Sequence, residues 1–547
     1  SYNCMARGKV LYDGHAVAAV AATSPAIAEE ALDLIEVEYE VLPHVIDVEA
    51  AMAPGAPVLH DDLFTQGVEP KPGSPSNIAK RVTFTKGDIA EGFREAEVVI
   101  ERRYTTQPVH QAYIEPHACV VAVGNDGQCT IFSSSQGQFM VRAYCAKLLG
   151  IDVANIRAMP AEIGGGFGGK TLVYLEPVAL ALSKKSGRPV KIVMSREEVF
   201  RGTGPAAGGV IEVKLGAKKD GRLVAAELLL KYQAGAFPGS PVGPGCMCGF
   251  AMYDIPHVSI VGYDVVSNRP KVAAYRAPGA PNASFGVESC VDELARELKI
   301  DPLLLREKNA ARDGTKAAHG PTWTNIGYAQ TLAAARASGH LEIPLGPNQG
   351  RGIASGFWFN IGGESSAACH VNEDGSVTVV EGNPDIGGTR AAMAMMAAEA
   401  LGISYDRVRP IVADTSSIGF SFLTGGSRTT FATGMAVTQA AEKVVGELKK
   451  RAAMIWDLSP EAVDWKDGQA FPAGPNAGSF APLSLAEIAA KAGRTGGPIS
   501  AEVSINAQGA GPGFATHICD VEVDCETGHV KILRYTAVQD VGRAIHP

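Results

Sequence analysis

The 547-residue chain has room for three or four domain-sized units at roughly 150 residues each, and 46% hydrophobic against 20% charged residues supports large cores. A net charge of −9, with no basic block interleaved with aromatics, excludes nucleic acid as the expected partner. Ten scattered cysteines, with Cys246 and Cys248 the only close pair, exclude zinc and iron–sulfur spacings and a disulfide framework; they suit reduced thiols in a cytoplasmic protein.

No apolar run reaches the ~18 residues that cross a bilayer. The chain opens on Ser1-Tyr2-Asn3 and closes on Arg543-Ala544-Ile545-His546-Pro547 in mid-phrase, so both ends are expected to be cut. Residues Gly14 to Glu49 alternate a strand-like run (Ala16 to Ala22), a helical run (Ala26 to Leu34) and a second strand-like run (Ile35 to Val41). This predicts a partial α/β unit over residues 1–55. The Pro- and Gly-rich stretch Pro54 to Asn77 reads as a connector, assigned to 56–80.

Four hairpin signals follow: Asn125-Asp126-Gly127, Lys219-Asp220-Gly221, Glu373-Asp374-Gly375 and Cys525-Glu526-Thr527-Gly528. Each lies between alternating apolar segments, as turns joining antiparallel strands require. Two of them begin one longer phrase of strand, loop, helix and strand. The first runs from Gly127 through Ser133–Gln138 to Leu149-Gly150-Ile151 and Arg157; the second runs from Gly375 through Gly382–Gly388 to Leu401-Gly402-Ile403 and Arg409. The glycine-to-arginine interval is the same, 150 to 157 and 402 to 409. This predicts an internal duplication, two large α+β domains over 81–340 and 341–547, joined near Leu345 to Gly350.

The run Ile163-Gly164-Gly165-Gly166-Phe167-Gly168-Gly169-Lys170 is the densest candidate for chemistry. Glycines let backbone take positive φ and approach a ligand closely, so bare N–H groups there suit oxyanions or metal-bound oxygen. Gly164 to Thr171 also satisfies G-x-x-x-x-G-K-S/T, the phosphate loop of nucleotide hydrolases. That loop needs a buried strand before it and an unbroken helix after it. Here Arg157, Pro160 and Glu162 precede it, and Pro177 falls inside the would-be helix. A loop that is glycine-rich only for packing is a third reading.

Ordered phrases across nearly the whole chain resemble the molybdenum hydroxylases, the xanthine dehydrogenase and aldehyde oxidase family, in the molybdopterin-binding large subunit. They are Tyr12-Asp13-Gly14-His15, Val37-Glu38-Tyr39-Glu40, Glu115-Pro116-His117-Ala118, Ser135-Gln136, the Gly-Phe-Gly loop, Arg188-Pro189-Val190-Lys191, Ser195-Arg196-Glu197-Glu198, Ala274-Tyr275-Arg276, Asp292-Glu293-Leu294-Ala295, Gly425-Gly426-Ser427-Arg428 and Asp524 to Gly528. The resemblance implies an α+β chain: a partial α/β hammerhead-like unit followed by two related molybdopterin-binding domains. The cofactor's dithiolene would hold the molybdenum, which explains a redox protein without grouped His or Cys ligands.

It also implies roles. Gln136 matches the glutamine whose amide reaches the molybdenum oxo group. Gly166, Phe167 and Gly168 match the loop whose N–H groups point at metal-bound oxygen, so Gln136 and Phe167 stand near the metal without ligating it. Arg276 matches a cofactor-associated arginine, and Gly425, Gly426 and Ser427 match a second small-residue loop beside the cofactor. Taken alone, Gln136 reads as a loop amide, Arg276 as a surface turn residue and Ser427 as a helix cap.

Departures narrow the substrate. Thr171 stands where purine hydroxylases place a glutamate, their pocket arginine has no counterpart near Pro244-Gly245, and Ala277 stands where carbon monoxide dehydrogenases carry a copper-binding cysteine. Thr171, Pro278, Phe357 and Trp358 are the candidate pocket residues, which favours an N-heterocycle, an aryl compound or an aldehyde; Phe357 to Phe359 reads equally as a core strand. Asp385 to Arg390 is one residue short of the family phrase and lacks its glutamine. The family's general-base glutamate would fall beyond Pro547, so the catalytic base is unknown, and a second chain completing the site is one expectation.

The implied reaction is hydroxylation at carbon with oxygen from water. Electrons would leave to a partner with two 2Fe–2S clusters and a partner with FAD, and the cofactor would be the cytosine dinucleotide form. The alternatives are a nucleotide hydrolase and a non-catalytic cofactor-carrying scaffold.

Overall fold

Two four-stranded sheets with one strand order form the centre of the protein, whose computed structural model describes residues 4–545. The expected cut ends, Ser1 to Asn3 and His546 to Pro547, lie outside the described residues. In the first unit, β1 (Ala118–Val123) and β2 (Cys129–Ser133) form the Asn125–Gly127 hairpin. Helix α1 (Gln138–Leu149) then crosses to β3 (Ile156–Pro160), parallel to β2. Helix α2 (Glu176–Ser186) leads to β4 (Val190–Val193), antiparallel to β1, which gives the order β3-β2-β1-β4.

The second unit repeats this with β5 (Gly363–Val371), β6 (Val377–Glu381), α3 (Thr389–Leu401), β7 (Val408–Val412), α4 (Gly434–Trp456) and β8 (Ile499–Ala507). Its order is β7-β6-β5-β8, with the same parallel and antiparallel pairings. Both crossover helices stop on a left-handed glycine, Gly150 (φ 64°) and Gly402 (φ 70°), where a side chain would be strained. In the first sheet Val121 and Ile131 point inward and are fully buried against Val141 and Cys145 of α1 and Leu180 of α2.

The duplication extends further than the repeated phrase. The first unit is inserted between Val98–Thr106 and Gly209–Ala217, adjacent antiparallel strands of a five-stranded sheet completed by Leu223–Gly235, His257–Val266 and Ile78–Lys86. The second is inserted between Gln349–Trp358 and Gly513–Val523, adjacent antiparallel strands of a three-stranded sheet completed by Val530–Asp540. All four hairpin signals join antiparallel strands. One hydrophobic core runs across the expected junction at 340/341, where Ile353, Phe357, Phe514 and Ile518 pack with Val287, Val291, Leu294 and Tyr328.

The amino-terminal unit departs from expectation in its strands. The helix is present as Pro25–Asp33, capped by Ser24, but residues 16–22 and 35–41 form no strand and have no ladder partner among the described residues. Alternation predicts an extended run, whereas a strand also needs a neighbour for its N–H and C=O groups. Leu34, Tyr39 and Val41 remain largely exposed.

Candidate functional site

The carboxyl ends of the parallel strands from the two units meet along one seam. Arg157 on β3 pairs with Asp414 at 2.7 Å, and Ala158 exchanges bonds with Thr415, donating N–H to its Oγ1 (3.0 Å) and accepting its N–H (3.1 Å). Gln138 at the start of α1 donates to the carbonyls of Gly382 and Ala413, both at 2.8 Å. Loops that follow β2, β3 and β6 therefore converge with the 415–428 segment.

Gln136 sits at this convergence, 1% exposed. Its Oε1 accepts N–H from Gly168 (2.9 Å) and Lys170 (3.2 Å), and its Nε2 donates to Thr424 O at 2.7 Å. Two backbone donors on one atom and a carbonyl on the other set the amide's orientation and leave one of its two N–H groups unspent. Thr424 N–H in turn donates to Gln136 O at 2.8 Å. This amide clamps the glycine loop of the first unit to the loop of the second.

The glycines answer first to protein neighbours. A Cβ at Gly166 would meet Gln136 Oε1 at 2.5 Å, at Gly168 the Ala274 carbonyl at 2.6 Å, and at Gly169 the Tyr113 ring at 2.7 Å. Glu115 closes the loop from behind, accepting Gly164 N–H at 2.9 Å and the Lys170 ammonium. Lys170 is wholly buried over the Tyr113 ring, and burial pushes its pKa down against the Glu115 carboxylate. Tyr113 continues to His117 (2.7 Å) and Thr203 (3.2 Å), and burial holds the His117 imidazole neutral, with its pKa lowered to about 3.

Two expectations change here. The lysine of a phosphate loop must face the ligand at a helix start; Lys170 faces the interior, and the next helix begins only at Glu176, which removes the nucleotide-hydrolase reading. The N–H of Gly168, expected to face a ligand, is spent on Gln136. That of Phe167 (φ 53°) has no acceptor among the described residues.

Arg276 joins the loop through its N–H to Phe167 O (2.8 Å), and its guanidinium lies 5.4 Å over the Phe167 ring. The residue is exposed, and its guanidinium donates to no protein group among the described residues. The second small-residue loop stands opposite. A Cβ at Gly425 would lie 3.9 Å from Thr171 Cγ2, Gly426 presses on Ile361, and Ser427 has φ 60°. Trp358 donates to Gly426 O at 3.3 Å and stacks on Phe359 at 4.3 Å. Thr171 turns its hydroxyl to Gly168 O at 2.8 Å, and Pro278 is half-buried behind Ala277 (φ 57°).

Phe357 is corrected. Alternation along Gln349–Trp358 sends it inward, 5% exposed among His319, Trp323 and Phe514, so it is core and no pocket wall.

Two residues that drew no role from the sequence organise the second unit's side of the seam. Arg428 is wholly buried and ties Gly362, Phe422, Leu423, Glu364 and Ser365 together. Asp385 accepts the N–H groups of Gly387, Gly388, Thr389 and Arg390 at the start of α3; burial would raise its pKa, but these bonds hold it far below the usual carboxylate range. The Asp385 carboxylate thus fills the end of the shortened phrase, and Arg390 bridges to Glu162 at 2.7 Å.

Whether an anionic, oxygen-rich cofactor suits these residues is a question of donors. The Phe167 N–H, the second N–H of Gln136 and the Arg276 guanidinium lie on the converging loops, and the buried Thr429 hydroxyl, unpartnered among the described residues, opens the helical turn that follows them. Four non-glycine residues on these loops, Phe167, Arg276, Ala277 and Ser427, hold left-handed φ, a cost that clusters where backbone is shaped for a ligand. The donor set fits such a group. No cluster of His, Cys, Asp and Glu among the described residues would hold a bare metal ion, so the metal would come within the cofactor.

Comparison with known proteins gives the same direction. Residues 71–310 and 324–547 each match a molybdopterin cofactor-binding domain, and residues 1–43 match the a/b hammerhead domain of aldehyde oxidase and xanthine dehydrogenase. The chain is 29% identical to a probable xanthine dehydrogenase subunit of Bacillus subtilis, covering 98% of this chain and 73% of that protein. It is 32% identical to the nicotinate dehydrogenase large molybdopterin subunit of Eubacterium barkeri, over 61% of this chain and 76% of that protein. Quinoline 2-oxidoreductase from Pseudomonas putida 86 superposes with a TM-score of 0.87 at 25% identity, over 99% of this chain and 72% of that chain.

Proposed function

The chain belongs to the molybdopterin-binding family of xanthine dehydrogenase and aldehyde oxidase, and on that premise we propose that it hydroxylates an aromatic N-heterocycle, an aryl compound or an aldehyde. It is a molybdenum-cofactor-dependent oxidoreductase chain. When bound, the cofactor supplies two-electron oxidation of a substrate carbon with oxygen from water.

Gln136, Phe167, Arg276 and the Gly425–Ser427 loop would hold the cofactor, with Gly166 giving the loop room to approach Gln136 and Gly168 spending its N–H on that amide. The Gln136 amide is already fixed by three bonds, so its remaining N–H costs no reordering when it meets developing charge. The Phe167 ring, half-exposed under Arg276, would shield the metal from water and so strengthen the bonds made there. Trp358 and Phe359, stacked beside Gly426, offer a planar wall, and Thr171 and Pro278 add no charge to it. That wall supports a flat, weakly charged substrate over a purine.

The relatives are named as subunits, which supports a heteromeric complex. Within it, one partner would carry two 2Fe–2S clusters and another FAD. The cofactor would be the cytosine dinucleotide form, and the complex cytoplasmic. No helix among the described residues is long and apolar enough to cross a membrane.

The observation that carries the reading is the set of unspent donors where both units meet. Its test is elemental molybdenum with pterin fluorescence on protein isolated with its natural partners, followed by turnover of quinoline, nicotinate and a small aldehyde. Molybdenum and pterin in equal amount with the chain are expected. Absence of both removes the reading, and loading without turnover of any substrate leaves the scaffold alternative in its place.

A further inference from the structure

Three cationic side chains are wholly buried among the described residues: Lys170, Arg306 and Arg428. Lys170 has Glu115, and Arg306 has Glu288 at 2.9 Å and Asp292 at 2.6 Å. Arg428 has no carboxylate within ion-pair distance among the described residues. Its Nε donates to Gly362 O (2.7 Å), Nη1 to Phe422 O (3.0 Å) and Leu423 O (3.4 Å), and Nη2 to Glu364 O (2.6 Å) and Ser365 Oγ (2.7 Å). Every donor direction is satisfied, yet the charge is offset only at a distance by the exposed Glu364 carboxylate, and burial outweighs that attraction.

A buried charge that is hydrogen-bonded only to neutral groups still carries a desolvation cost of several kcal/mol in general, and folds keep one where something else offsets it. The nearest buried acid in the same network does not. Arg428 connects through Ser365 and Thr433 (3.2 Å) to Asn383 (2.7 Å), whose N–H meets Glu381 at 2.5 Å. Burial pushes the Glu381 carboxyl up to about 8, so it is protonated and uncharged at neutral pH.

Arg428 follows the Gly425–Ser427 loop directly in the chain, with Gly426 and Ser427 in left-handed backbone, and precedes Thr429, whose buried hydroxyl has no partner among the described residues. We propose that Arg428 is the counter-charge for the anionic part of the cofactor seated against that loop. It acts through its field and through the carbonyls it holds in place, without touching the ligand. It is therefore a positioning residue, and the proposal rests on the cofactor reading above.

The test compares Arg428→Lys, which keeps the charge, with Arg428→Met, which keeps the length only. Each is isolated with its partners and assayed for molybdenum and pterin per chain. Lys at 428 should stay loaded, and Met should lose cofactor by about tenfold. A folded Arg428→Met protein as loaded as wild type overturns the proposal, as does a folded Arg428→Lys protein that is empty. Wild type without molybdenum or pterin fails the cofactor reading instead.

Should Arg428→Met not fold, the wild type decides. Cofactor-free and loaded protein are melted in sulfate and in chloride at equal ionic strength. Sulfate should raise the melting temperature of the cofactor-free protein more than that of the loaded one, and still do so in cofactor-free Arg276→Ala, which removes the exposed guanidinium that would otherwise take the anion. An equal rise in both sinks the proposal.

Discussion

Gln136 bonds nearby backbone, as a loop amide does, and among the described residues it retains one free donor. Its own contribution can be separated from the fold. Gln136→Ala should keep the protein folded and loaded but lower turnover by roughly 10²-fold, as loss of one preorganised donor does; kcat at saturating substrate checks this. Gly166→Ala tests the close approach, since its methyl would overlap Gln136 Oε1 at 2.5 Å, and a lower molybdenum content at unchanged helix content is expected. Glu381 gives a pH-dependent prediction. Its folded carboxyl, at about 8 against an ordinary 4.5, binds a proton that the unfolded chain has released, so its stability cost grows as pH rises from 4.5 and is complete above 8. Glu381→Gln should therefore melt increasingly above wild type between pH 5 and pH 8, by an amount on the order of a few kcal/mol. A parallel pair of melting curves across that range would refute it. The family resemblance singles out Gln136, which taken alone reads as a loop amide, and it gives no role to Arg428 or Glu381. An arginine after two glycines and a serine reads as surface, and only the fold reveals that neighbouring carbonyls bury it.

Elements were legible where their signals are local. The four hairpins were readable because left-handed turn residues act over two or three positions, and the duplication because each crossover helix ends on a glycine at the same distance from an arginine. The strands over 16–22 and 35–41 were misread because a ladder is a property of two segments, and alternation reports on one. Phe357 fell to the same rule from the other side: its position in a strand was clear, and the side it faces was not. At this scale Asp385 is the informative residue. It satisfies the first N–H groups of α3 with a charged acceptor, which is worth more than an uncharged cap. Asp385→Ala should cost about 1–2 kcal/mol, and Asp385→Asn less, by denaturant unfolding of the loaded complex. Both should also free Arg390 from one of its two acids, leaving the Glu162 contact alone.

For the whole molecule, the seam between the two units decides when the site comes apart. The loops that would hold the cofactor come from both units, so its retention depends on contacts that neither unit makes alone. The better-buried of the charged contacts on that seam is Arg157 with Asp414, whose side chain is 6% exposed, against 79% for Glu162 in its pair with Arg390. Hydrogen bonding to Arg157 lowers the Asp414 pKa to about 2 from an ordinary 3.8. The stability this contributes is present above pH 3.8 and is lost as pH falls through 2, because the unfolded chain binds the proton first. Asp520, held at about 2 chiefly by Arg351, titrates over the same range and ties Gly513–Val523 to Gln349–Trp358 and Val530–Asp540. Acid should therefore open the seam and release pterin between pH 4 and pH 2 while β1 to β4, whose core is apolar, still holds its strands. Asp414→Asn should lower the melting temperature at neutral pH and flatten its fall below pH 4. Pterin fluorescence in the filtrate, followed beside far-ultraviolet circular dichroism, separates the two events. Simultaneous loss of both signals in wild type would mean that the seam carries no separate stability and that the two units unfold as one.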